Sequence, residues 1–152
     1  MLSRKGFVLE KLFIGPISGW GFTHSRRGKL RNHFTSDAEG QWDPALKTLK
    51  LVEAYKFSDG HRDTLHWKIE KISHHRYIVT ESRVKGTAEG EQPGQSFRWR
   101  YKRSVPARNG SSTTLSFDDC FLSQEEDVVI ATANVSKFGF QIATVTVFYL
   151  KW

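Results

Sequence analysis

Two carboxylic acids fall on strand faces that are otherwise apolar, and they are the residues of this sequence best placed to do chemistry. Glu53 shares an alternating face with Leu49, Leu51, Tyr55 and Phe57, and Asp119 shares one with Leu115, Phe117 and Phe121. A buried carboxylate is unfavourable unless it is paired or hydrogen-bonded, and burial raises its pKa. Such a group can orient the polar end of a ligand or act as a general acid or base. The alternative is structural: one or both acids are bonded to Arg or Tyr side chains at the edge of the core.

Other kinds of site find less support in the sequence. A metal site needs three or four converging ligands; the adjacent pair His74 and His75 would face opposite ways in a strand, and His24 and His33 make two ligands at most. We therefore predict no metal and no cofactor. No Gly-x-Ser-x-Gly motif presents a nucleophile, and the single Cys120 lies in an acidic stretch, which disfavours a reactive thiolate.

The charge is strongly basic, with a net +7 and a pI near 9.7, and it is unevenly distributed. Basic residues dominate the first 36 positions, whereas 118–127 holds five acids and no base. This asymmetry permits an anionic partner. In the stretch 97–102, however, Phe97, Trp99 and Tyr101 alternate with bases, which places rings and charges on opposite faces. Single-strand binders need both on one face, so binding of nucleic acid or anionic lipid is only our third hypothesis.

The elements that must position these residues are strands. From Pro16 onward apolar residues recur with period two, and turn residues such as Ser58-Asp59-Gly60 interrupt them at short intervals. No long helical pattern intervenes; only the stretch 7–14 predicts a short helix or turn, which Gly15-Pro16 ends. We predict an all-β protein, one domain over 1–152, in which about nine or ten antiparallel strands close into an up-and-down barrel. A twisted sandwich is the alternative.

Two further features refine this prediction. Gly40 is expected to bulge or bend its strand. The C-terminal stretch 133–152 reads as a hairpin about Ser136-Lys137-Phe138-Gly139, and its last strand points Val145, Val147 and Tyr149 to one side.

The chain resembles a bacterial family of unknown function, domain of unknown function 3833, whose members are often labelled lipoproteins. The matching residues extend from about Leu9 to Tyr149: Trp20-Gly21, Asp59-Gly60, Trp67, Gly86, Gly90, Trp99-Arg100-Tyr101, Asp118-Asp119 and Ser136-Lys137-Phe138-Gly139. The resemblance implies a small lipocalin-like β-barrel and brings no established activity. The chain departs from the family in having Cys120-Phe121 where Trp-Met is usual, Ala131-Thr132 in place of an Asn-Arg pair, and no lipobox cysteine.

These observations lead to one main hypothesis of function. We expect a non-enzymatic barrel that binds a small, largely apolar or amphipathic molecule. Its predicted walls are Tyr55, Trp67, Trp99, Tyr101 and Phe117, and its predicted polar anchors are Glu53 and Asp119. The alternative is an isomerase or cyclase in which Glu53 or Asp119 moves protons. No apolar run approaches the roughly 20 residues of a membrane-spanning helix, and the N-terminus lacks the pattern of a signal peptide, so we expect a cytoplasmic protein, or a periplasmic one if the natural start is missing.

Overall fold

The computed structural model describes residues 9–73, 76–84, 88–91, 96–106, 109–125 and 127–152. One short helix precedes ten strands in this part of the chain. The elements are α1 (Leu9–Leu12), β1 (Gly15–Ser25), β2 (Leu30–Asp43), β3 (Thr48–Phe57), β4 (Arg62–Lys71), β5 (Arg76–Thr80), β6 (Ala88–Glu91), β7 (Ser96–Pro106), β8 (Ser112–Glu125), β9 (Val128–Lys137) and β10 (Phe140–Lys151). No helix in these ranges is long and apolar enough to cross a membrane.

The ten strands form a closed antiparallel barrel in which each strand pairs with its neighbours in sequence. Closure comes from β1, which pairs with β2 on one side and with β10 on the other. Closing the sheet pairs β1 with β10, the two strands that would otherwise be its edges. The prediction of an all-β, up-and-down barrel with a short N-terminal helix is therefore confirmed, and the sandwich alternative is excluded.

Alternation of side chains decides what lies inside. In β7, Phe97 and Trp99 are buried while Arg98 and Arg100 are exposed, as the alternation predicts. In β10, Val147 and Tyr149 point inward. The predicted turn before β10 also forms, because Phe138 and Gly139 both have positive φ, the conformation of a tight hairpin turn.

Beyond the buried Ile17, strand β1 places two glycines inside the barrel and turns its large rings outward. Gly19 and Gly21 are buried, whereas Trp20 and Phe22 are 49% and 44% exposed. A Cβ atom on Gly21 would lie 2.5 Å from Cζ of Phe34, which occupies the space instead. The missing side chains on β1 thus make room for rings from neighbouring strands.

One end of the barrel is closed by α1 and the residue that follows it. The Phe13 ring is buried and meets Phe121 edge-on at 5.7 Å between centroids and Tyr149 at 6.1 Å. The prediction of a bulge at Gly40 is wrong, because β2 pairs there without a shift in register. Glycine is needed for a different reason: a Cβ atom would lie only 1.7 Å from the carbonyl oxygen of Phe13.

Candidate ligand-binding site

The interior of the barrel holds a cavity of about 280 Å³. All seven residues predicted to form a site line it: Glu53, Tyr55, Trp67, Trp99, Tyr101, Phe117 and Asp119. They are brought together from β3, β4, β7 and β8, because each lies at an inward position of its strand. Their role as ligand contacts stays a prediction.

Aromatic rings form most of the wall. Trp67 and Trp99 lie 4.9 Å apart between ring centroids, and Tyr101 packs edge-on against Trp67 at 5.5 Å. Tyr101 also stacks on Phe117 at 5.2 Å. Rings that hold one another in offset and edge-on contacts form a rigid apolar surface.

Glu53 lies in this wall with a relative exposure of 6%. Its Oε2 accepts hydrogen bonds from the hydroxyls of Tyr55 at 2.6 Å and Tyr149 at 3.4 Å. Burial raises the pKa of Glu53, and the hydrogen bonds and the positive charge of Arg103 offset this only in part. Burial also raises the pKa values of both tyrosines well above their ordinary range, so they stay neutral donors.

Asp119 is the second buried acid, 8% exposed. Its Oδ2 accepts hydrogen bonds from the Trp99 indole at 2.6 Å and from the Tyr101 hydroxyl at 2.9 Å. Its Oδ1 is buried and has no hydrogen-bond partner among the described residues. Burial raises the pKa of Asp119 to about 7, and the negative charge of Glu53 contributes to the increase. Near neutral pH this carboxyl group is therefore divided between its protonated and ionised forms.

The adjacent acid Asp118 has the opposite environment. It lies on the outer face of β8, where Arg98 donates two hydrogen bonds at 2.7 Å and 3.0 Å and Arg100 approaches to 3.2 Å. These hydrogen bonds from Arg98 hold the pKa of Asp118 below its usual range. The neighbouring acids Asp118 and Asp119 thus have different roles: Asp118 forms a surface ion pair, and Asp119 is an interior carboxyl group.

Arg103 is a cavity residue that was not among the predicted site residues. Its guanidinium lies 5.0 Å from the centre of the Phe117 ring, and its Nη1 is 3.4 Å from Oδ2 of Asp63. The Arg103 Nε is buried without a hydrogen-bond partner in the described part of the chain. The signal for it was available, because residue 103 continues the inward alternation of Phe97, Trp99 and Tyr101 along β7.

Four polar atoms on cavity-lining residues lack hydrogen-bond partners within the described ranges. Two are donors, Nε1 of Trp67 and Nε of Arg103, and two are acceptors, Oδ1 of Asn32 and Oδ1 of Asp119. The Trp67 indole is close enough to Glu53 to favour its charged form, yet it makes no hydrogen bond of good geometry with it. The structural interpretation explains the bonded oxygens of the two acids, but it leaves these four atoms without a role.

The other candidates from the sequence do not converge on this site. Among the described residues, no three His, Cys, Asp or Glu side chains are grouped so as to hold a metal ion. His61 stacks on Phe57 at 4.2 Å and pairs with Asp59 in the β3–β4 turn. His74, His75 and Gly86 lie outside the described residues.

Solved structures that share this fold include the following two. The S-type phycobiliprotein lyase CPES from Guillardia theta superposes with a TM-score of 0.64 at 8% identity, over 92% of this chain and 87% of that one. A protein of unknown function from the DUF3598 family of Nostoc punctiforme PCC 73102 superposes with a TM-score of 0.65 at 10% identity, over 98% of this chain and 51% of that one. The chain therefore spans about half the length of the second structure. At these identities the likeness shows the fold alone.

Sequence comparison gives the family but no activity. No curated protein matches the chain. Residues 2–151 match the profile of a family described as "Protein of unknown function (DUF3833)". Since this match covers nearly the whole sequence, the resemblance to that family is confirmed, and the chain belongs to the DUF3833 family of proteins of unknown function.

Proposed function

We propose that this protein binds a small, largely apolar molecule with a polar end inside its barrel. The observation that carries the proposal is the cavity of about 280 Å³, whose aromatic walls enclose four polar atoms that find no hydrogen-bond partner in the described part of the chain. Small-molecule sites are concave and mostly apolar, with a few polar groups that fix orientation. A core built only for stability would leave few such groups unsatisfied.

The lining sets limits on the ligand. A volume of about 280 Å³ lies at the lower edge of the roughly 300–1,000 Å³ typical of such sites, so the enclosed part of the ligand is small. Donors on Trp67 and Arg103 suit a carbonyl or carboxylate oxygen, and Oδ1 of Asp119 suits a hydroxyl or amine hydrogen. A flat, unsaturated body would pack against Trp67 and Trp99.

The fold is compatible with this function. A barrel of similar architecture belongs to a phycobiliprotein lyase. That likeness supports a small-molecule role for the barrel without indicating which ligand this chain takes.

The experiment is to occupy the cavity with a side chain and measure binding. Ala133 lines the cavity, so Ala133→Phe should abolish binding of the fluorescent probe anilinonaphthalene sulfonate, which has an aromatic body and an anionic end. The control Ala54→Phe adds the same ring to the exposed outer face of β3 and should bind as the wild type does. Native mass spectrometry of the purified protein should show a co-purified molecule in the control and not in Ala133→Phe. Equal binding by the two folded variants would refute the proposal.

A second candidate is an enzyme that isomerises or cyclises its ligand by proton transfer. The observation that favours it is Asp119, a cavity carboxyl group whose pKa of about 7 suits a general acid or base at neutral pH. Its test uses the co-purified molecule: incubation with wild-type protein should convert it to an isomer, and Asp119→Asn should retain binding and lose conversion. Binding without conversion by the wild type would leave the simple binder as the correct description.

A further inference from the structure

Two hairpins at the end of the barrel opposite α1 carry exposed apolar side chains at their tips. We call them the rim, which comprises residues 25–30 between β1 and β2 and residues 137–140 between β9 and β10. Phe138 is 89% exposed, Phe140 70% and Leu30 58%. The two hairpins are neighbours, because the backbone N–H of Arg26 donates to the carbonyl oxygen of Ile142 at 3.3 Å. The rim is therefore one continuous surface with protruding apolar tips.

The same surface is basic. Arg26, Arg27, Lys29 and Lys137 belong to it, and neither of its two segments contains an acid. Their side chains are exposed, and none of the ion pairs within the described ranges includes them. The Lys137 ammonium lies 5.6 Å from the centre of the Phe138 ring, so charge and apolar surface are combined at the tip itself.

The rim also adjoins the cavity. Ile142 lines the cavity, is 42% exposed and lies two residues from Phe140. Thr23 and Asn32, which flank the other hairpin, line the cavity as well. A molecule entering at this end would pass the rim.

We propose that the rim docks on the surface of an anionic lipid bilayer. Apolar side chains that insert at the headgroup level, surrounded by bases that meet anionic lipid, are the combination that holds proteins at such a surface. Nucleic acid fits less well, since single-strand binders use a concave basic groove lined by rings, whereas these rings project from convex turns. Docking would bring the cavity entrance to the source of an apolar ligand, but it does not depend on the ligand proposal.

The test is co-sedimentation of the full chain with vesicles of phosphatidylcholine, with and without about 30% phosphatidylserine. We expect binding only to the anionic vesicles, and its loss as salt increases from about 50 to about 200 mM. One basic residue near such a surface is worth about five-fold in partitioning, so Arg26→Gln with Arg27→Gln should weaken binding roughly twenty-five-fold. Phe138→Asn with Phe140→Ser should weaken it at least ten-fold; asparagine tolerates the positive φ at 138.

Matched controls lie at the closed end. Lys11→Gln with Lys50→Gln removes two exposed charges there, and Leu46→Ser with Ile72→Ser removes two exposed apolar side chains. Both controls should bind vesicles as the wild type does. The proposal is wrong if the wild type ignores anionic vesicles, if the controls lose as much as the rim variants, or if single-stranded RNA competes the protein off the vesicles and binds it more tightly. None of these results would change binding of anilinonaphthalene sulfonate in the cavity, so the docking proposal can fail while the ligand-binding proposal holds.

Discussion

Replacing Asp119 with asparagine should remove a decrease in stability with rising pH that this carboxyl group causes. In the unfolded chain the carboxyl group titrates near 3.8, and in the folded barrel it titrates near 7. Between these values the folded state binds the extra proton, so stability decreases as the pH rises. The difference of about 3 between the pKa values corresponds to about 4 kcal/mol of stability, fully lost above the folded pKa. Asparagine keeps an acceptor oxygen for Trp99 and Tyr101 and does not ionise.

The measurement is urea unfolding of both proteins across a pH series, followed by tryptophan fluorescence. Relative to the wild type, Asp119→Asn should gain about 3 kcal/mol between about pH 5 and pH 8. The control is Asp118→Asn on the outer face of the same strand. Because hydrogen bonds from Arg98 keep the folded pKa of Asp118 low, its stabilisation is lost only in acid, and its difference from the wild type should be constant over this range.

One result would refute the reasoning about Asp119 directly. If the difference between Asp119→Asn and the wild type is the same at all pH values, the carboxyl group titrates alike in the folded and unfolded states. Burial would then not govern its charge, and the case for a neutral acid in the cavity would be lost.

Three further predictions concern the closed end and the cavity. Gly40→Ala should lower the free energy of unfolding by about 3 kcal/mol, because the added methyl meets the carbonyl oxygen of Phe13; a thermal-unfolding midpoint close to that of the wild type would contradict this. Burial alone would raise the pKa of Glu10, but hydrogen bonds from Lys71 and Tyr77 lower it below 4.5. Glu10→Gln should therefore destabilise the protein at neutral pH, and denaturant unfolding should show this effect disappearing as the pH falls through the folded pKa of Glu10. Anilinonaphthalene sulfonate is an anion, so its binding should weaken as Asp119 ionises with rising pH near 7, by at most ten-fold per pH unit. This pH dependence should vanish in Asp119→Asn, and stronger binding at high pH would contradict the prediction.

Sequence patterns were sufficient for the architecture because a strand with one buried face has a period of two. That period placed Trp67, Trp99 and Tyr101 on inward faces and, through the apolar neighbours of Glu53 and Asp119, identified two interior acids. It also placed Tyr149 with Val145 and Val147, although its contact with Glu53 could not be predicted, because a residue pair 96 positions apart is set by the closure of the barrel.

Local patterns could not determine which face of a strand turns inward where either face could do so. In β1 large apolar residues alternate with glycines, and the glycines are inside because Phe34 and Tyr149 fill the space from other strands. Leu30 shares its face with Phe34 and Ala38, yet it is exposed because it lies at the rim, where the barrel ends. Burial thus depends on position along the barrel axis as well as on alternation.

The charges inside the cavity are consistent with the proposed ligand site. Among the described lining residues are two acids, Glu53 and Asp119, and one cation, Arg103, which also pairs with Asp63 outside the lining. Full ionisation would leave a net negative charge in a low-dielectric interior, which is unfavourable. Raising the pKa of Asp119 relieves this near neutral pH, since the proton removes one negative charge. For stability alone, an apolar residue of the same volume would often serve as well; under the proposed function, an acid that gains or loses its proton adjusts to the charge of the ligand.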